Sequence, residues 1–193
     1  MTDWTHIASE PGRLTLAGAP EGFDALALIA LVDAERAVRP DGAAVFHVAR
    51  DDARMATLID ALNFFAPELE VVAIPAWDCL PYDRASPHAD IAARRVTALA
   101  TLAQSAGSPM GRLIITTVNA AVQRVPSRDA MAGASFMLRT GGALDQDRFL
   151  AFLAANGYSR TGTVMEPGEF AIRGGIIDIF PAGLAEPLRL DLF

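Results

Sequence analysis

Short apolar runs alternate with longer stretches of helical period along residues 1–128, and this alternation constrains the fold more than any other feature. The runs Ala43–Ala49, Glu70–Ile74 and Leu113–Val118 are rich in valine, isoleucine and alanine. Strands that are buried on both faces of a parallel sheet have this composition, and each needs a helical crossover to reach its neighbour. The pattern therefore predicts an α/β fold, a parallel sheet covered by helices.

The predicted order of elements starts with one βα unit. A strand at Arg13–Ala17 leads through a turn at Gly18–Gly22 into a helix at Phe23–Val38. Asp51 is the expected N-cap of the next helix, because its side chain can accept a hydrogen bond from the first helical turn. Further helices of this part are predicted at residues 51–65, 88–104 and 119–125, and turns at 40–42 and 107–111.

The pattern changes after Pro126. An amphipathic helix at Asp145–Asn156, ended by Gly157, is surrounded by short strands in close succession. Those strands are predicted at Ser135–Arg139, Thr163–Met165, Glu169–Arg173, Ile176–Phe180 and Leu188–Phe193. We therefore expect a second, smaller α+β domain with antiparallel pairing, and divide the chain into domains 1–128 and 129–193. The last residues have the composition of a strand interior, so the chain is expected to continue within a larger protein.

The charge and the cysteine content limit which partners and which cellular compartment are expected for this chain. The net charge is −7 and the chain has no lysine, whereas a broad nucleic-acid footprint usually needs a basic surface. Extensive DNA binding is therefore not expected, although a local arginine patch remains compatible with this balance. A single cysteine, Cys79, excludes an intramolecular disulfide, and the polar start does not resemble a signal peptide. The longest apolar stretch near the start, Ala25–Val32, is too short to span a bilayer, so we predict a cytoplasmic protein without membrane contact.

The first predicted turn stands where a phosphate-binding loop would lie, but its residues do not suit that chemistry. Counting from Gly18, such a loop needs glycine, lysine and a hydroxyl residue at its sixth, seventh and eighth positions. This sequence has Phe23, Asp24 and Ala25 there, with Gly22 one position early. Asp24 would repel a triphosphate, so we expect no bound cofactor. The alternative is a nucleotide-binding domain with an atypical phosphate loop.

No other catalytic or metal-binding pattern emerges from the sequence. The three histidines, His6, His47 and His88, are far apart, and none has a histidine or cysteine neighbour at helical spacing. A Gly-x-Ser-x-Gly nucleophile motif does not occur. We therefore predict that the chain is not an enzyme and holds no metal.

Two stretches about ninety residues apart are distinctive: Trp77–His88, with the sequence WDCLPYDRASPH, and Gly168–Pro181, with the sequence GEFAIRGGIIDIFP. In this order they resemble the N-terminal module of bacterial transcription-repair coupling factors. That module is itself similar to the first domains of the excinuclease protein UvrB. The resemblance covers the chain from about Leu14 to Phe193.

The resemblance implies a helicase-like first domain that has lost its phosphate loop and a small second domain that docks the excinuclease protein UvrA. The positions that match the family's contact residues are Arg173, Arg189 and Phe193. Arg189 and Phe193 are four apart, so alternation along a strand would place them on one face. Arginine beside an aromatic side chain is typical of interface anchors.

For the intact protein, the resemblance implies an ATP-dependent DNA translocase that binds RNA polymerase and duplex DNA through segments absent from this chain. The module itself would recruit UvrA to a stalled polymerase for nucleotide-excision repair. UvrB also has a DNA-clamping hairpin after the stretch that matches Tyr82–His88. Here a helical pattern follows Asp90 almost at once, so no such hairpin is expected.

Overall fold

The computed structural model describes residues 3–20, 22–40, 42–79, 82, 86–104, 111–181, 184 and 186–193. Residues 80, 81 and 83–85 of the stretch 77–88 lie outside the described residues. The same holds for residue 21 of the first predicted turn, residue 41 of the second and residues 107–110 of the third.

A three-stranded parallel sheet forms the centre of the first part of the chain. Its strands are β1 (Ala44–Ala49), β2 (Glu70–Ile74) and β3 (Arg112–Thr117), in the order β1-β3-β2. Arg112 at the start of β3 pairs with Ala44 on one side and with Glu70 on the other. This sheet, together with the separate second sheet described below, confirms the predicted α/β fold class.

Seven helices are described: α1 (Trp4–Ser9), α2 (Phe23–Val38), α3 (Asp52–Phe65), α4 (Ala89–Gln104), α5 (Val118–Ala121), α6 (Arg128–Gly133) and α7 (Gln146–Ala155). Asp51 caps α3 as predicted, since its Oδ1 accepts a hydrogen bond of 2.8 Å from the backbone N–H of Arg54. None of the described helices is both long and apolar enough to cross a membrane.

The first core lies between the sheet and helices α2 and α3. Its fully buried members include Val32 of α2, Leu58 and Leu62 of α3, and Leu113 and Ile115 of β3. These side chains recur at helical spacing on the helices and at every second position on the strand, which is why the sequence pattern located them.

Helix α4 packs against β2 and holds a buried cation, Arg95, which is 1% exposed. Its Nη1 donates a hydrogen bond of 2.7 Å to the carbonyl of Pro75, and the guanidinium lies 5.1 Å from the centre of the Trp77 ring. Burial lowers the pKa of Arg95, because it penalises the charged form. The carbonyl and the aromatic face together partly compensate that penalty and join the start of the loop after β2 to α4.

A four-stranded sheet forms the second part of the chain. Its strands are β4 (Ser159–Arg160), β5 (Glu169–Arg173), β6 (Ile176–Ile179) and β7 (Leu188–Asp191), in that order. β5, β6 and β7 pair antiparallel as predicted, whereas β4 pairs parallel to β5. A second core joins α7 to this sheet through Phe149, Leu153, Phe170, Ile177 and Ile179.

Three predicted strands were wrong. Arg13–Ala17 is irregular and has no strand partner among the described residues, and Leu14 and Leu16 are 56% and 48% exposed. Ser135–Arg139 is likewise irregular. In the third, Thr163–Met165, the backbone N–H of Met165 donates to the Glu169 carboxylate at 2.8 Å instead of to a neighbouring strand.

Other elements differ in extent. The last strand ends at Asp191, two residues before its predicted end, and helices α1 and α6 had not been predicted. Ser127 caps α6, which crosses the predicted domain boundary at residues 128 and 129 and packs against α4. The division into two domains stays a prediction.

Candidate functional site

The strands β5, β6 and β7 separate their side chains onto two faces. Phe170, Ile177 and Ile179 point into the core with α7. Because side chains alternate along a strand, Arg173, Asp178 and Arg189 project from the opposite face. The strand register places Asp178 directly opposite Arg189, so these two side chains are cross-strand neighbours.

Arg189 and Asp178 form a bidentate ion pair. Nε of Arg189 donates to Oδ1 of Asp178 at 2.7 Å, and Nη2 donates to Oδ2 at 3.0 Å. These hydrogen bonds lower the pKa of Asp178, and attraction to Arg189 and Arg173 lowers it further. The same hydrogen bonds raise the pKa of Arg189. The arginine side chain is 63% exposed and the carboxylate 17%, so Asp178 is the inner partner.

Arg173 ends β5 on the same face. Its Nη2 donates to the carbonyl of Gly162 and, at 3.1 Å, to the hydroxyl of Thr163. These contacts hold the guanidinium beside the loop that precedes β5. The side chain remains exposed.

The two arginines line one groove of about 440 Å³, which we call the arginine groove. It is lined by Thr163, Val164, Arg173, Asp178, Pro187, Leu188 and Arg189. Asp178 is the one carboxylate among these lining residues, so the groove has two positive charges and one negative charge. The arrangement suits a carboxylate ligand, because arginine presents a planar set of donors that matches carboxylate geometry.

Phe193 follows β7 and lies at the turn that joins β5 to β6. Its side chain is 98% exposed, and its ring tip is over Gly175. The N–H of Leu192 donates to the carbonyl of Gly175 at 2.9 Å, which fixes this end of the chain beside the turn. The structure thus brings Arg173 and Arg189 into one groove and places Phe193 at the end of the sheet where Arg173 lies.

Asp178 was missed by the sequence analysis. The signal for it was present, because it is the one charged residue in the otherwise apolar strand Ile176–Ile179. Alternation alone places it on the solvent-facing side. Its pairing with Arg189 depends on the register between β6 and β7, which the sequence pattern does not specify.

At the predicted phosphate-loop position, the structure has a glycine-containing turn that leads directly into α2. Gly18 and Gly22 have positive φ angles of 72° and 86°, and α2 begins directly after Gly22. Oδ2 of Asp24 pairs with Nη2 of Arg54 at 2.7 Å. His47 is near this pair, and burial lowers its pKa although Asp24 acts in the opposite direction.

The remaining histidines show no metal-binding arrangement. Within the described ranges, no group of three or more histidine, cysteine, aspartate or glutamate side chains could hold a metal ion. The ring of His88 lies 3.7 Å from the carboxylate of Asp78, as an exposed pair.

Comparison with known families bears directly on the second sheet. Residues 136–193 match the family model of the UvrB interaction domain. The matched segment contains α7, all four strands of the second sheet and the arginine groove. This part of the chain is therefore similar to the UvrB interaction domain.

Over nearly its whole length the chain is similar to transcription-repair-coupling factors. It is 36% identical over 182 residues to the one from Escherichia coli (strain K12), which covers 94% of this chain and 15% of that protein. It is 34% identical over 146 residues to the one from Haemophilus influenzae, covering 76% of this chain and 12% of that protein. The one from Staphylococcus aureus (strain bovine RF122) is 34% identical over 134 residues, 69% of this chain and 11% of that protein.

These similarities confirm the resemblance predicted from residues 77–88 and 168–181. The chain therefore belongs to the transcription-repair-coupling factor family. It spans about 15% of the length of the Escherichia coli relative and less of the other two.

Proposed function

We propose that this chain is a non-catalytic docking module that binds the excinuclease protein UvrA. Through the intact protein it would recruit UvrA to stalled RNA polymerase for nucleotide-excision repair in the cytoplasm. The observation that carries the proposal is the arginine groove, in which Arg173 and Arg189 converge within the segment that matches the UvrB interaction domain. RNA polymerase and duplex DNA would be bound by other segments of the intact protein.

The chemistry of the groove supports a partner surface with carboxylates. Arg189 gives two of its five N–H donors to Asp178, so a partner carboxylate can bind to the same guanidinium beside Asp178. Its geometry is already fixed by the bidentate pair, which lowers the entropic cost of binding. Arg173 supplies a second cation in the same groove, and the exposed ring of Phe193 supplies apolar area nearby.

A nucleotide-binding role fits the first part of the chain less well. The predicted strand before the turn at Gly18 is absent, since Arg13–Ala17 is irregular. Asp24 carries a negative charge in the first turn of α2, where a phosphate would need a cation, and it already pairs with Arg54. These features support a module that binds no cofactor and performs no catalysis.

The test is a calorimetric titration of UvrA with the purified chain and with the variant that combines Arg173→Ala and Arg189→Ala. We expect the variant to bind about tenfold or more weakly, as is usual when central anchors of an interface are truncated. The melting temperature should fall only slightly, because the double variant loses the Arg189–Asp178 ion pair and surface ion pairs contribute little to stability.

The matched control is Arg36→Ala, which removes an arginine from α2 that pairs with Asp33 at 3.2 Å. This variant should bind like the wild type. Equal affinity of the wild type and the double variant would show that docking occurs on another surface.

A further inference from the structure

We propose that Gly175 is a positioning residue that sets the place of the Phe193 ring on the docking surface. This inference rests on the proposed function and adds a residue to it. A Cβ built on Gly175 would lie 2.6 Å from Cε2 and 2.6 Å from Cζ of Phe193, and 3.2 Å from Cε1. The ring tip therefore occupies the space that any other residue at position 175 would fill.

The two glycines of this turn serve different purposes. Gly174 has a positive φ of 63°, and a Cβ on it would meet nothing within 4 Å. Gly175 has no positive φ, so its backbone conformation is open to other residues. At position 174, glycine is required because the backbone has a positive φ. At position 175, glycine is required because the Phe193 ring occupies the space of a side chain.

The cost of a side chain at position 175 should fall on docking and not on folding. The atoms in its way are the far end of an exposed side chain, which can turn away without disturbing the core. The backbone contact between Leu192 and Gly175 uses the carbonyl of Gly175 and survives the substitution. A displaced Phe193 ring would have to return to its position when the partner binds. The cost of ordering the ring in this way weakens affinity.

The test is a double-mutant cycle of binding to UvrA with Gly175→Ala, Phe193→Ala and the two combined. We expect Gly175→Ala to weaken binding about two- to tenfold, the effect of ordering one side chain on association. Because Gly175 acts through the ring, the combined variant should bind like Phe193→Ala alone. The control Gly133→Ala, at a position with open space and no positive φ, should bind like the wild type.

A merely structural role of Gly175 predicts a different result. It would give additive losses in the combined variant together with a lower melting temperature, and this outcome overturns the inference. Wild-type affinity of Gly175→Ala overturns it as well. A measurement on the unmodified chain adds a check that does not depend on any variant: nuclear Overhauser effects between the Gly175 α-protons and the Phe193 ring are expected, and their absence contradicts the placement.

The outcomes separate this inference from the proposed function. If Arg173→Ala with Arg189→Ala weakens binding while Gly175→Ala does not, the docking role stands and the positioning role falls. If the wild-type chain does not bind UvrA at all, both fall together.

Discussion

At the scale of single residues, Asp178 reduces the repulsion between the two arginines of the groove. Without an opposing charge, Arg173 and Arg189 would repel each other on the same face of the sheet. Asp178 attracts both arginines. The hydrogen bonds from Arg189 lower its pKa most, and the charge of Arg173 lowers it least. The sequence and the family resemblance identify the arginines, but the residue that orients one of them follows only from the strand register.

The lowered pKa of Asp178 predicts a pH-dependent contribution to stability. Because its folded-state pKa lies below 3.8, the ion pair stabilises the fold fully above that pH and loses this effect as pH falls through the folded-state pKa. Asp178→Asn cannot titrate. We expect wild type to be more stable than Asp178→Asn at pH 6 and the difference to shrink below pH 4, as measured by urea unfolding at several pH values. A constant difference across this range would show that the carboxylate charge of Asp178 does not stabilise the fold.

At the scale of elements, the sequence predicted helices and buried strands better than exposed strands. The predicted bounds of the three strands of the first sheet and of helices α2, α3, α4 and α7 differ from the observed bounds by only a few residues. The reason is that the spacing of apolar residues in these elements follows from which side chains are buried. The strands predicted at residues 13–17, 135–139 and 163–165 are irregular. A strand exists only where a partner supplies hydrogen bonds, and local alternation, as at Leu14 and Leu16, does not provide one.

The turn between β5 and β6 tests an element-level prediction. Arg173 pairs with Ile176, so Gly174 and Gly175 form a two-residue hairpin loop, a type that commonly needs positive φ. Gly174 has this conformation at 63°. We expect Gly174→Val to cost about 1–3 kcal/mol, which for a chain of this size lowers the melting temperature by about 2–4 °C per kcal/mol.

The matched comparison is Gly175→Val, which needs no positive φ and whose Cβ would meet the exposed Phe193 ring. Its melting temperature should fall less than that of Gly174→Val. Thermal unfolding followed by circular dichroism measures both. Unchanged melting of the two variants would mean that this turn does not constrain the fold.

At the scale of the whole molecule, the net charge of the chain is negative, whereas the charge of the arginine groove is positive. The chain has a net charge of −7, yet the arginine groove is lined by two arginines and a single carboxylate. A polyanion such as DNA would be repelled by the net negative charge of the chain, whereas a protein with a few local carboxylates needs to approach only the groove. The overall balance thus favours a protein partner at this site, consistent with the match of residues 136–193 to an interaction domain.

The last prediction concerns nucleotide binding by the whole chain. Asp24, in the first turn of α2, pairs with Arg54 at 2.7 Å, so the arginine that contacts this helix start is already engaged by a carboxylate. A phosphate at this helix start would have to displace that pair and would meet the charge of Asp24. We expect calorimetric titration with MgATP at millimolar concentration to give no binding heat, and phosphate release to match that of buffer alone. The same preparation should bind UvrA, which shows that the protein is folded and active. Millimolar or tighter MgATP binding that is abolished by Gly22→Ala would contradict the prediction and support an atypical phosphate loop.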